Sequence, residues 1–168
     1  MPSGDELTAR EELVLRLKRT LPARRAAVYS ALSDPEELAK WWGPQGFTAP
    51  SVEFDLRVGG GYRIAMQPPH GDPFYLSGEF CEIDPPGRLA YSFRWDPADP
   101  DDQDTVVMVS LEDRGERTDA RLTQGEFATE ERLALHRQGW MESFERLQRL
   151  LAEARNQSRG SFASRHKD

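Results

Sequence analysis

Side chains able to move a proton are scarce in the apolar stretches of this 168-residue sequence, and His136 is the foremost of them. It falls on the apolar side of a helical pattern, near that helix's start. The positive end of the helix dipole disfavours an imidazolium, so a neutral ring is expected, able to accept a hydrogen bond or act as a base. The simpler reading is a partly buried histidine satisfied by a backbone carbonyl. It is the favoured one, because perturbed groups serve structure as well as function. His70, in a turn, and His166, near the C-terminus, read as incidental. Glu53, Asp55 and Arg57 alternate along one strand pattern and form the one compact ionisable group beside aromatic residues. A solvated outer strand face, with Asp55 and Arg57 weakly paired, accounts for them.

Other chemistries find less support. Cys81 and three scattered histidines give no metal-ligand spacing, and the run DPDDQD at 99–104 lacks a calcium loop's glycine and terminal glutamate. No metal and no cofactor is expected. No Ser-His-Asp or Cys-His set has a local signature. Gly59-Gly60-Gly61 leads into a strand and lacks GxGxxG spacing, so it reads as a hairpin turn or bulge. Gly139, inside a helix, costs about 1 kcal/mol against alanine. It either lets the helix approach a sheet, the favoured reading, or leaves room beside Trp140 for a ligand.

Aromatic residues are the larger signal. Trp41 and Trp42 end a short helical pattern ahead of a Gly43-Pro44 corner, and almost every later element supplies a further ring. The residues expected to line an apolar cavity are Trp42, Phe54, Tyr62, Met66, Tyr91, Phe93, Trp95, His136, Trp140 and Phe144. His136 or Tyr91 would orient a polar group of the occupant. Ligand pockets are mostly apolar with few polar groups, so core and cavity are compatible uses of these side chains.

The elements that position them follow from periodicity. Residues 11–19 alternate as a half-buried strand, with Leu13, Leu15 and Leu17 on one side. Pro22 precedes an alanine-rich helix to Leu32, and Ser33-Asp34-Pro35 breaks it and starts a second, carrying Leu38, Trp41 and Trp42. Period-two stretches follow at 51–56, 60–67, 74–83, 88–95, 105–112 and 118–124. Turn chemistry separates them, and the acidic run Asp96–Asp104 reads as a solvated loop. Thr129 caps a final helix to about Ala154, with Leu133, His136, Trp140, Phe144, Leu147 and Leu151 as its stripe. Residues 155–168 carry no pattern and read as a disordered tail. The expected fold is therefore α+β: a curved antiparallel sheet of about seven strands against a long C-terminal helix.

The net charge of −7 argues against nucleic acid as a partner, which requires a basic face. One cysteine precludes an intrachain disulfide. The N-terminus has no signal-peptide pattern, and no stretch has the apolar length of a membrane span. A cytoplasmic protein without a membrane partner is expected.

The ordered set Asp34-Pro35, Trp41-Trp42-Gly43-Pro44, Asp55 to Gly60 (DLRVGG), Gly78, Pro85 to Leu89 (PPGRL), and His136 with Gly139-Trp140 resembles the START-like (SRPBCC, helix-grip) superfamily. Within it, the set is similar to the Hsp90 ATPase activator homologue family, over roughly Arg10 to Glu153. The resemblance implies a helix-grip domain at 10–154, with two short helices between strands 1 and 2 and an apolar cavity between sheet and helix. It implies a small hydrophobic ligand, aromatic or polyketide- or lipid-like. The alternatives are a cyclase- or hydrolase-type enzyme, for which His136 is the one catalytic candidate, and an Hsp90-associated module. Of these partners the small molecule is preferred to Hsp90, and a homodimer through the sheet face stays open. Fold alone does not fix function.

Overall fold

A computed structural model of the chain describes residues 13–166, with side chains through residue 157. The elements run β1 (Leu15–Leu21), α1 (Arg25–Ser33), α2 (Pro35–Leu38), β2 (Thr48–Phe54), β3 (Gly61–Gln67), β4 (Phe74–Asp84), β5 (Arg88–Asp96), β6 (Thr105–Arg114), β7 (Arg117–Gly125) and α3 (Glu130–His166). The seven strands form one open sheet in the order β1-β7-β6-β5-β4-β3-β2, with every neighbouring pair antiparallel. Only β1 is out of sequence; α1 and α2 carry the chain from its edge to the opposite one. The α+β helix-grip expectation holds.

Local chemistry sets the element ends. Asp34 caps α2 by accepting the Glu36 N–H at 3.0 Å, and Pro35 takes the first helical position, where its missing N–H costs nothing. Thr129 caps α3 through Oγ1, which accepts the Arg132 N–H at 3.1 Å. At 59–61 the glycines turn the β2–β3 hairpin: Gly59 has φ 85°, and a Cβ on Gly60 would fall on the Asp55 carbonyl oxygen. Register shifts between Thr48 and Ser51 and between Phe80 and Glu82 mark bulges, which bend their strands.

Three sequence expectations need correction. β2 begins and ends earlier than 51–56, so Asp55 and Arg57 lie in the turn after it, where they pair at 2.8 Å in solvent. The β6–β7 hairpin closes on Gly115-Glu116, with Arg114 opposite Arg117, a tighter loop than the sequence indicated. In place of a patternless tail from residue 155, the backbone stays helical to His166. The apolar stripe does end at Leu151. Ala152, Glu153, Ala154, Arg155 and Gln157 favour helix without needing a buried face, so each further residue adds a hydrogen bond at little cost.

The core lies between the concave sheet face and α3. Phe144 and Leu147 are essentially inaccessible, as are Leu76, Leu89, Val107 and Leu122 facing them from the sheet. Each such side chain contributes about 1.5–3 kcal/mol on burial. A polar thread crosses this core. Gln124 of β7, fully buried, accepts the Trp140 indole N–H at 2.7 Å and donates to Thr105 Oγ1 at 2.9 Å. The thread fixes which way α3 is rotated about its axis. Replacing Gln124 with Leu keeps the volume but strands the indole N–H. We expect a loss of about 2 kcal/mol, read as a lower urea midpoint at unchanged slope.

Candidate functional site

The closest backbone approach of α3 to the sheet is at β1. Over β3 to β5 the helix stands off, and large side chains do not fill the gap. What remains is an open cavity of about 480 Å³. Four segments wall it: Trp42 to Phe47 from the α2–β2 loop, Met66, Phe74, Phe93 and Trp95 from the sheet, residues of the β5–β6 loop, and one side of α3 between Arg132 and Ser143.

Aromatic rings meet edge to face or tilted along this wall. Phe47 meets Phe74 at 6.2 Å, Phe74 meets Trp95 at 5.4 Å, and Trp95 meets Phe93 at 5.0 Å between centroids. Trp42 stands perpendicular to Trp140 at 5.2 Å. Such pairs hold rings in fixed orientations as well as burying area. The Trp42 loop is tied to the helix by Arg146, one of whose terminal nitrogens lies 2.9–3.2 Å from the carbonyl oxygens of Trp42, Gly43 and Pro44. Gly43 turns there with φ 99°, and a Cβ would crowd Phe47 at 3.2 Å.

His136 sits under this wall at 8% exposure, packed on Phe93, Trp95 and Phe127. Its Nε2 accepts the Trp95 indole N–H at 3.0 Å, so the neutral ring carries its proton on Nδ1. The partner is an indole donor, where the sequence suggested a backbone carbonyl. Burial pulls the imidazolium pKa down to about 4, with Asp102 opposing and Arg132 adding to the effect. The ring is neutral at pH 7, as expected, but burial is the main reason.

At the mouth, Arg132 reaches Asp99 at 2.7 Å and Asp102 at 3.5 Å, and Asp102 accepts the Asp99 N–H at 2.8 Å. The Asp102 side chain is only 9% exposed. The acidic run is thus pinned to α3 at the cavity mouth; as expected from composition it stays exposed, except at Asp102, which Arg132 helps to cover. Glu142, from the next turns of α3, accepts from Gln138 and from the Gln45 backbone N–H.

Of the ten residues expected to line a cavity, Trp42, Met66, Phe93, Trp95, His136 and Trp140 line this one. Phe54, Tyr62 and Tyr91 lie beyond Trp42 around a separate void of about 10 Å³. The Tyr62 hydroxyl donates to the Ser92 carbonyl at 2.6 Å, and burial pushes both phenols well above their ordinary range. Phe144 lines neither space and stacks on Trp41 at 6.3 Å. The sequence reading missed Phe74, the loop at the mouth, and Arg132, Leu135 and Glu142. The helix residues were findable: 132, 135, 139 and 142 form a second stripe of three- and four-residue steps beside the apolar one.

Gly139 belongs to that stripe. A Cβ there would touch only Pro44, at 4.0 Å, so close helix packing does not demand glycine. The alternative of space at the cavity is the one the geometry favours.

Comparison with known proteins places these observations. The family described as "Activator of Hsp90 ATPase homolog 1-like protein" matches residues 22–152. The chain belongs to that family. Several proteins of known structure superpose on this chain over most of their length. Protein CV1439 from Chromobacterium violaceum is 30% identical with TM-score 0.71, covering 82% of this chain and 96% of its own. Protein NE0264 from Nitrosomonas europaea is 28% identical with TM-score 0.73, covering 86% and 97%. The AHSA1 protein (SPO3351) from Silicibacter pomeroyi is also 28% identical with TM-score 0.73, covering 84% and 99%. Among curated proteins none matches. No helix among the described residues is long and apolar enough to cross a membrane.

The His136 environment gives a pH dependence with a definite sign. Unfolded, the ring titrates near 6.5; folded, near 4. Between these values the unfolded chain binds the extra proton, so stability falls as pH drops from about 6.5 to about 4 and is unaffected by this group above 6.5. The full effect is about 3 kcal/mol. His136→Gln, which keeps an acceptor for Trp95, is expected to flatten that part of a stability–pH profile measured by urea unfolding.

Proposed function

We propose that this protein binds a small, largely apolar, aromatic-containing molecule in the cavity between its sheet and C-terminal helix. The observation that carries the reading is the open space of about 480 Å³ held between rings that pack on one another and leave it unfilled. Its size and apolar walls are those of small-molecule sites. Burying an aromatic ligand there would release water from apolar surface on both sides, at roughly 25 cal/mol per Å².

An acid/base role for His136 fits the geometry less well. Its Nε2 lone pair is already engaged by the Trp95 indole, and a folded-state pKa near 4 makes the ring a weak base. Ligand retention needs neither property.

Gly139 provides the test. Leucine at 139 replaces a poor helix former with a good one and sends a branched side chain toward the cavity. The neutral fluorescent probe N-phenyl-1-naphthylamine is expected to bind the wild type saturably at one site per chain. Gly139→Leu should weaken that binding tenfold or more without lowering the melting temperature. Equal binding by both proteins, or no saturable binding by the wild type, would remove the proposal.

A further inference from the structure

Three carboxylates line the cavity, Asp99, Asp102 and Glu142, against one guanidinium, Arg132, and the neutral His136. Arg132 is committed to Asp99 at 2.7 Å and to Asp102 at 3.5 Å. Arg146, beside the Trp42 loop, is committed to three carbonyl oxygens. Glu142 makes no ion pair among the described residues. Its carboxylate accepts from two neutral donors, Gln138 Nε2 at 3.1 Å and the Gln45 N–H at 3.3 Å. Gln45 belongs to the loop that forms one wall, and Gln138 to the side of α3 that forms another. Both are exposed, so the carboxylate sits at the rim where loop and helix meet.

The charge left over is negative, and the shape of the site concentrates it. A cleft with apolar walls screens poorly, so a charge at its edge acts across it more strongly than on a flat surface. The chain's net charge of −7 has the same sign. Aromatic rings make up much of the remaining wall, and a ring face attracts a cation through its quadrupole. Tryptophan is the best of these side chains for that contact, and Trp42, Trp95 and Trp140 all line the space. An entering carboxylate would meet like charge at the rim and no uncommitted cation among the lining residues.

Resting on the binding role proposed above, we infer that the cavity selects apolar cations: ring systems carrying a protonated amine, with the ammonium at the rim beside Glu142. Carboxylates of the same outline are refused. The rim position matters energetically. A fully buried ammonium loses its hydration, whereas one at the open edge keeps part of it and still meets the Glu142 carboxylate. That carboxylate is already held in place by its two neutral donors, so receiving a cation requires no rearrangement.

Three naphthalenes of matched outline separate the possibilities: 2-methylnaphthalene, 2-naphthylmethylamine in its protonated form, and 2-naphthoate. Each competes with N-phenyl-1-naphthylamine for the full chain at low salt. The amine should bind about five times more tightly than 2-methylnaphthalene, the ratio an ion pair partly open to solvent supplies. The carboxylate should be the weakest of the three. Glu142→Gln should bring the amine within about twofold of 2-methylnaphthalene. Glu153→Gln removes the same charge about 16 Å further along α3 and should leave the wild-type ratio unchanged. Salt gives a reading on the wild type alone: raising it should shrink the amine's advantage. Equal affinity for amine and hydrocarbon, an advantage indifferent to salt, or a carboxylate that binds as tightly as the amine overturns the charge selection and leaves the binding role standing. So does a dye that binds saturably and is displaced by none of the three. An equal loss in the two glutamine variants overturns the assignment to Glu142. Absence of saturable dye binding removes the inference together with the binding role beneath it.

Discussion

The contact between Arg146 and three consecutive carbonyls is the constraint on which the cavity depends. The chain leaving α2 turns sharply at Gly43, and its last carbonyls have no helical partners of their own. The Pro44 carbonyl accepts the Phe47 N–H at 3.1 Å, and those of Trp42 and Gly43 need water or a side chain. Arg146 does so from α3, a hundred residues away in sequence, with one terminal nitrogen near the oxygens of Trp42, Gly43 and Pro44. Burial and the neighbouring Arg149 lower this guanidinium's pKa, yet an arginine stays charged far above physiological pH. A fixed cation on a row of carbonyl dipoles joins loop and helix where apolar contact alone would allow sliding. Trp42 is thereby placed across from Trp140, which the buried Gln124 holds to the sheet. Loop, helix and sheet are joined through two polar connections, and the rings between them keep their spacing.

How far the sequence foretold this differs between fold and site. Period-two stretches located all six strands after the helices, because one face of an antiparallel sheet must be apolar and the other solvated. Thr129 announced its helix through capping chemistry that acts within three residues, and Pro35 announced the second short helix by suiting a first helical position. Such signals are local, and so they are legible. The Asp55–Arg57 pair was also foreseen, though the strand end was misplaced, since a hydrogen-bond ladder ends where its partner ends and not where alternation stops.

The site was legible only in part. Six of the ten expected residues wall the cavity, since large apolar side chains on several elements must converge somewhere. Phe54, Tyr62 and Tyr91 share the same sheet face, and only the three-dimensional position of Trp42 divides them from the cavity. That division arises from the Arg146 clamp, which links residues with no local relation in sequence. The loop at the mouth was missed for a different reason. Asp102 looks solvated like its neighbours until Arg132 is known to stand beside it, and a charge pair between residues 30 or more positions apart leaves no periodic trace.

Family membership names a fold shared by proteins with unrelated roles, so the case for binding has to come from the cavity itself. Gly139 carries the most weight in that case. Mid-helix glycine costs about 1 kcal/mol relative to alanine, and the usual compensation is a neighbouring backbone too close for a methyl group. Here the nearest atom to such a methyl would be Pro44 Cγ at 4.0 Å, an ordinary contact, so packing supplies no compensation. What the glycine preserves is volume beside Trp140, in a cavity whose rings are held by their mutual contacts. A fold under selection for stability alone would fill that space. Leaving it open is consistent with an occupant that does the filling.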